Sequence, residues 1–145
     1  MRDLPRQLSA DELAELFEGR TRFVELLAEV EDPLGRAEEL LVALSHEEKV
    51  EALNAHPAIG ARKLSQRSAG EQGSDADPAV LSELAYLNQV YEEKLGFRFV
   101  VFVNSRPKRE ILEVLRERIG RTLEEELDTG CRELVAIARD RWTRT

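Results

Sequence analysis

Cysteine and histidine are scarce in this chain, and long apolar runs are missing. One cysteine, Cys131, and two histidines, His46 and His56, stand among 145 residues. A lone cysteine excludes an internal disulfide and suits a reducing compartment. The three together make no recognised zinc spacing, so no metal is expected. No apolar run approaches the roughly 20 residues of a membrane span. The N-terminal stretch carries charges throughout and lacks the apolar core of a secretory leader. A cytoplasmic protein without a membrane partner is therefore expected. Basic residues are the minority, 21 Lys and Arg against 29 Asp and Glu, for a net charge of −8. That balance argues against a broad nucleic-acid surface, which needs a clustered basic face. Internal repeats, low-complexity segments and phosphate-binding fingerprints are also missing: Gly60 and Gly70 lie too far apart to cradle a phosphate, and no strand precedes them.

What is present is an ordinary globular composition, 42% hydrophobic and 34% charged, in a chain of single-domain size. Helical periodicity runs through most of it. Ser9 and Glu12 have capping-box form ahead of Leu13, Leu16 and Phe17, and Gly19 breaks that run. Thr21 caps a second run with Phe23, Leu26, Leu27 and Val30 on one side. A third helix is expected over 34–44. A fourth starts at the capping box of Ser45 and Glu48 and ends at His56 and Pro57. Asp77 and Pro78 open a long helix that Gly96 ends; Pro107 opens another, and the box of Thr122 and Glu125 starts the last, which runs to about Trp142. Between them, residues 97–103, FRFVVFV, form the one strand-like run. A single strand has no sheet to join, so a buried extended segment, or the buried start of a helix, is expected. Its backbone could line a pocket. The fold class is all-α: one domain over residues 1–145, a bundle of seven to eight helices.

Candidate chemistry concentrates in residues 54–72, NAHPAIGARKLSQRSAGEQ. Pro57 cannot continue a helix and pushes His56 out of the α region, so His56 is expected at the helix end, placed to face a cleft. Its ordinary pKa of roughly 6.5 makes it readily tuned for proton transfer at neutral pH. A histidine held by core hydrogen bonds would leave the same trace. Ser68, Glu71 and Gln72 follow the order S-x-x-E-Q. They are either a capping box or three polar groups pointing together at a small polar substrate. In the last helix the stripe of Leu123, Leu127, Gly130, Leu134 and Ile137 continues to Arg141. An arginine on an apolar face needs an acidic partner or an anionic ligand, unless its place in a fraying last turn accounts for it. Arg139 and His46 are expected to be surface residues.

HPAIG at 56–60, SAGEQ at 68–72, LNQVY at 87–91, GFRFV at 96–100, PKREIL at 107–112 and IARDRW at 137–142 occur in an order and spacing that cover nearly the whole chain. Together they resemble the OHCU decarboxylases, which convert 2-oxo-4-hydroxy-4-carboxy-5-ureidoimidazoline to (S)-allantoin in urate breakdown. The resemblance implies His56 and Glu71 as the catalytic pair. Pro57, Ser68, Gln72 and Arg141 would bind substrate, with main-chain groups of Phe99, Val101 and Val103. It also implies an all-helical homodimer that needs no cofactor and takes a small ureidoimidazoline. A histidine beside a carboxylate stays protonated to higher pH, so a cationic His56 is expected. The chain departs from the family in a shorter loop between His56 and Ser68, in Ala58, and in Arg98, which stands where the family usually has proline. The alternative is a helical protein that binds a cyclic ureide without catalysis or with another specificity.

Overall fold

Helix starts follow the side-chain caps written into the sequence. In the computed structural model, which describes residues 3–58 and 77–144, Ser9 and Glu12 exchange side-chain-to-backbone hydrogen bonds at the start of α1 (Ala10–Phe17). Thr21 caps α2 (Arg22–Leu27) by accepting from the Val24 N–H. Asp32 caps α3 (Pro33–Val42) through the Gly35 N–H, with Pro33 in the first turn. Ser45 and Glu48 form the second box, at α4 (His46–Asn54). Asp77 caps α5 (Pro78–Leu95) through the Ala79 N–H. α6 (Lys108–Ile119) follows Pro107 without a side-chain cap. Thr122 and Glu125 make the third box, at α7 (Leu123–Arg144). Each box satisfies donors that a helix start otherwise leaves without intrahelical partners.

Several ends differ from expectation, α3 among them, which stops at Val42 rather than at residue 44. α2 stops at Leu27, because the chain tightens there into turns in which Glu29 N–H bonds the Leu26 carbonyl and Val30 N–H bonds that of Leu27. Val30 therefore lies beyond the helix. At the other end of the chain, Leu123 was expected on the inner stripe of α7, but it is the first helical residue and 40% exposed; burial begins at Glu126 and Leu127.

α7 is the central element, packing against α1, α3 and α4, while α2 bridges α1, α3 and α4 and α5 pairs with α6. One apolar cluster draws on every helix, including Leu13, Phe23, Leu34, Leu53, Leu84, Ile111 and Leu134. Each such side chain contributes about 1.5–3 kcal/mol by leaving water, and Phe17 and Phe23 meet edge to face at 5.1 Å in the α1–α2 corner. Gly96 ends α5 at φ 84, a conformation that suits glycine.

Residues 97–103 form neither helix nor strand, and no strand occurs among the described residues. Phe97, Phe99, Val100, Val101 and Val103 are all buried. With no sheet partner, part of the segment's backbone bonds to side chains from four other places. Arg98 N–H bonds Asn54 Oδ1 (3.0 Å), and Phe102 N–H bonds Glu133 Oε1 (3.2 Å). The Val100 carbonyl accepts from Arg118 Nη1 (2.7 Å), and the Phe102 and Val103 carbonyls accept from Arg106. Arg118 also lies over the Phe99 ring at 4.6 Å. Its Nε donates to Glu126 Oε1 (2.7 Å), a fully buried carboxylate that also accepts from the Tyr91 hydroxyl (2.7 Å) and Arg121 (2.9 Å). One buried anion thus ties α5, α6 and α7 to this segment.

Candidate active site

His56 sits one residue past the cap of α4, its N–H bonding the Leu53 carbonyl at 3.2 Å. It is 5% exposed, so the imidazole faces inward as the proline-ended helix implied. Burial, and then the positive charge of Arg141, push its pKa down to about 4, with the Glu18 carboxylate opposing. At neutral pH the imidazole is uncharged. The cationic His56 expected from a carboxylate neighbour rested on Glu71, which lies outside the described residues; among the described groups, loss of hydration and the Arg141 guanidinium outweigh the Glu18 carboxylate. Its Nε2 is buried without a hydrogen-bond partner among the described residues.

Arg98 holds this turn from the side. Its Nη1 donates to the His56 carbonyl (2.6 Å), its Nε lies 3.6 Å from Glu92 Oε1, and its own N–H reaches Asn54. The 97–103 segment is thereby tied to the two ends of the sequence Asn54-Ala-His56. A proline at 98 would supply neither the N–H nor the guanidinium.

Arg141 lies on the inner stripe of α7, its side chain 1% exposed. Its Nη2 meets Glu18 Oε1 at 3.1 Å and its Nη1 donates to the Leu16 carbonyl at 2.9 Å. Among the described residues an acidic partner of this inward arginine is Glu18, at the C-terminal cap of α1. Glu18 was missed in the sequence, although a signal existed: a carboxylate at a helix C-terminus runs against the helix dipole and implies a cation elsewhere. Arg139, expected at the surface, is instead half-buried and donates to the Leu34 and Gly35 carbonyls, joining α7 to α3. His46 is exposed, as expected.

The fold thus brings His56 and Arg141 within each other's field, and Arg98, in the segment that also carries Phe99, Val101 and Val103, bonds the His56 carbonyl. Ser68, Glu71 and Gln72 lie outside the described residues. Cys131 is buried, and burial pushes its thiol up to about 11, which leaves no thiolate nucleophile at neutral pH. Among the described residues no group of three or more His, Cys, Asp or Glu could hold a metal ion. A neutral buried imidazole and a preoriented guanidinium suit proton exchange on a small polar, anionic molecule.

The profile of the OHCU decarboxylase family matches residues 2–143. Among curated proteins, the chain is 30% identical over 99 residues to a 2-oxo-4-hydroxy-4-carboxy-5-ureidoimidazoline decarboxylase of Halalkalicoccus jeotgali, covering 65% of this chain and 56% of that protein. It is 32% identical over 100 residues to the protein of the same name in Haloferax volcanii, covering 65% and 59%. The matched region spans little more than half the length of these relatives. Among solved structures, an OHCU decarboxylase in the presence of (S)-allantoin superposes with a TM-score of 0.78 at 24% identity, covering 92% of this chain and 96% of that one.

Proposed function

The chain belongs to the OHCU decarboxylase family, and on that premise we propose that it decarboxylates 2-oxo-4-hydroxy-4-carboxy-5-ureidoimidazoline to (S)-allantoin. The observation that carries the reading is that two residues far apart in sequence, His56 and Arg141, are both buried and lie within each other's field.

Loss of CO2 breaks the bond between the carboxyl group and the ring carbon, and the electron pair must go somewhere. In this substrate the carbon adjoins a ring C=N, so the pair moves into the ring without a cofactor. The protein then has to orient the substrate, strip water from its carboxylate and direct one proton to one face. Arg141 and Gln72 hold polar groups of the ring and ureido arm, and Ser68 helps to orient them. Pro57 and the main chain at Phe99, Val101 and Val103 form the wall. His56 and Glu71 exchange protons with the 4-hydroxyl and the developing centre. An uncharged imidazole enters this cycle as an acceptor, able to take the hydroxyl proton and to be restored when the ring carbon is protonated.

The test uses freshly made substrate and follows allantoin by optical rotation. His56→Asn is expected to slow formation at least about 100-fold, the usual scale of a lost acid–base group, with loss of enantiomeric excess. Unchanged rate and unchanged excess remove His56 from the mechanism. Binding of allantoin with no acceleration by the wild-type chain favours a ureide-binding protein instead. Assembly as a homodimer in the cytoplasm is part of the same reading; light scattering should give twice the 16.5 kDa protomer. No helix among the described residues is long and apolar enough to cross a membrane.

A further inference from the structure

Glu18 is held where local forces oppose it. It caps the C-terminus of α1, where the helix dipole disfavours a carboxylate. Its backbone sits at φ 65, in the left-handed region that side-chain-bearing residues rarely adopt. A residue placed against both preferences is compensated by tertiary contacts. The compensation visible here is the 3.1 Å pair with Arg141, with side-chain exposures of 13% and 1%. The same turn supplies the Leu16 carbonyl to the other end of the guanidinium. Two acceptors from one turn therefore help to set the position and the plane of Arg141, and an arginine so deeply buried requires a compensating anion.

That turn also touches the other half of the site. A Cβ added at Gly19 would lie 3.1 Å from Ala55 Cβ, tighter than most side-chain contacts, so the α1–α2 turn presses against the residue preceding His56. The Glu18 carboxylate and the Arg141 guanidinium act on the imidazole with opposite sign. One short turn near the start of the chain thus braces two residues contributed by α4 and α7.

We propose that Glu18 is a positioning residue of this site, its carboxylate fixing the Arg141 guanidinium where that group meets the ligand. The inference rests on the functional reading above. Glu18 need not touch the ligand; it acts through Arg141, and its removal should weaken binding more than turnover.

Steady-state kinetics on the full chain, with allantoin binding by calorimetry, test this. Glu18→Gln keeps the shape and removes the charge. KM and the allantoin Kd are expected to rise about tenfold, the scale of one misaligned charge-assisted contact, with kcat within about threefold of wild type. Glu18→Asp, which keeps the charge on a shorter arm, should recover part of the affinity. A folded Glu18→Gln variant with KM and Kd within about twofold of wild type overturns the proposal. Should that variant fail to fold, Glu18→Asp decides: a raised KM supports the proposal and an unchanged one overturns it. Failure of the functional reading looks different, because there the wild-type chain itself does not accelerate the decarboxylation, whether or not it binds allantoin.

Discussion

Replacing Glu126 by glutamine should destabilise this protein more than any change at its exposed ion pairs. The carboxylate is 0% exposed and accepts from three donors: the Tyr91 hydroxyl, Arg118 Nε and Arg121 Nη1. The donors do not weigh equally. Arg121 has a side chain 36% exposed and can return to water, whereas the Arg118 side chain is 5% exposed and cannot. Glutamine leaves the Arg118 charge buried without its counter-ion, and breaking such a pair costs about 3–5 kcal/mol. For 145 residues the unfolding entropy is about 0.3 kcal/mol per degree, so the melting temperature should fall by about 10–15 °C. Tyr91→Phe, which removes one hydrogen bond to a charged acceptor, should cost about 1.5–3 kcal/mol. Arg121→Ala, at a screened pair, should cost under about 1 kcal/mol. Arg118 also holds the Val100 carbonyl and covers the Phe99 ring, so amide exchange should rise across residues 97–103 in Glu126→Gln. Thermal denaturation by circular dichroism and hydrogen exchange read both effects. A melting temperature lowered by less than about 3 °C, or a cost for Arg121→Ala equal to that for Glu126→Gln, refutes the assignment of the buried anion as the tie between α5, α6 and α7.

Two further outcomes follow from the site. His56 titrates at about 4 when folded and near 6.5 when unfolded, so between these values the unfolded chain binds the extra proton; stability is therefore full above about 6.5 and declines as pH falls towards 4, by roughly 3 kcal/mol in all. Urea unfolding at pH 7 and pH 4.5 should show a loss for wild type about 2–3 kcal/mol greater than for His56→Asn, and equal losses would contradict a buried neutral imidazole. Arg98→Ala removes the donor to the His56 carbonyl from a side chain 40% exposed, so the stability loss should stay near 1 kcal/mol. Its kcat should nonetheless fall several-fold as the turn loosens; unchanged kcat would show that the clamp has no bearing on His56.

Local structure was legible in the chain. Capping boxes at Ser9, Ser45 and Thr122, the proline that ends α4 and the glycine that ends α5 act over three or four residues, and each does in the fold what its spacing predicts. The run at 97–103 is apolar except at Arg98, and Phe97, Phe99, Val100, Val101 and Val103 are accordingly buried. His56 and Arg141 were also visible, because a proline after one and an apolar stripe leading to the other mark them as turned inward.

Which groups those residues would meet was not legible. The periodicity of a helix states which side faces the core but carries no record of what faces it across the core. Glu18 reaches Arg141 only because α1 packs on α7. Arg98 reaches the His56 carbonyl across 42 residues only because the 97–103 segment folds back on the end of α4. The protonation state of His56 followed the same rule: its residue type set a pKa near neutrality, while burial and the balance of Arg141 against Glu18 carried it to about 4. Sequence alone determined the helices and most of the inward-facing residues, Leu123 and Arg139 excepted, since these depend on neighbours along the chain. Only tertiary structure decided the charge partners, because desolvation and Coulomb forces act through space between elements that the chain order keeps apart.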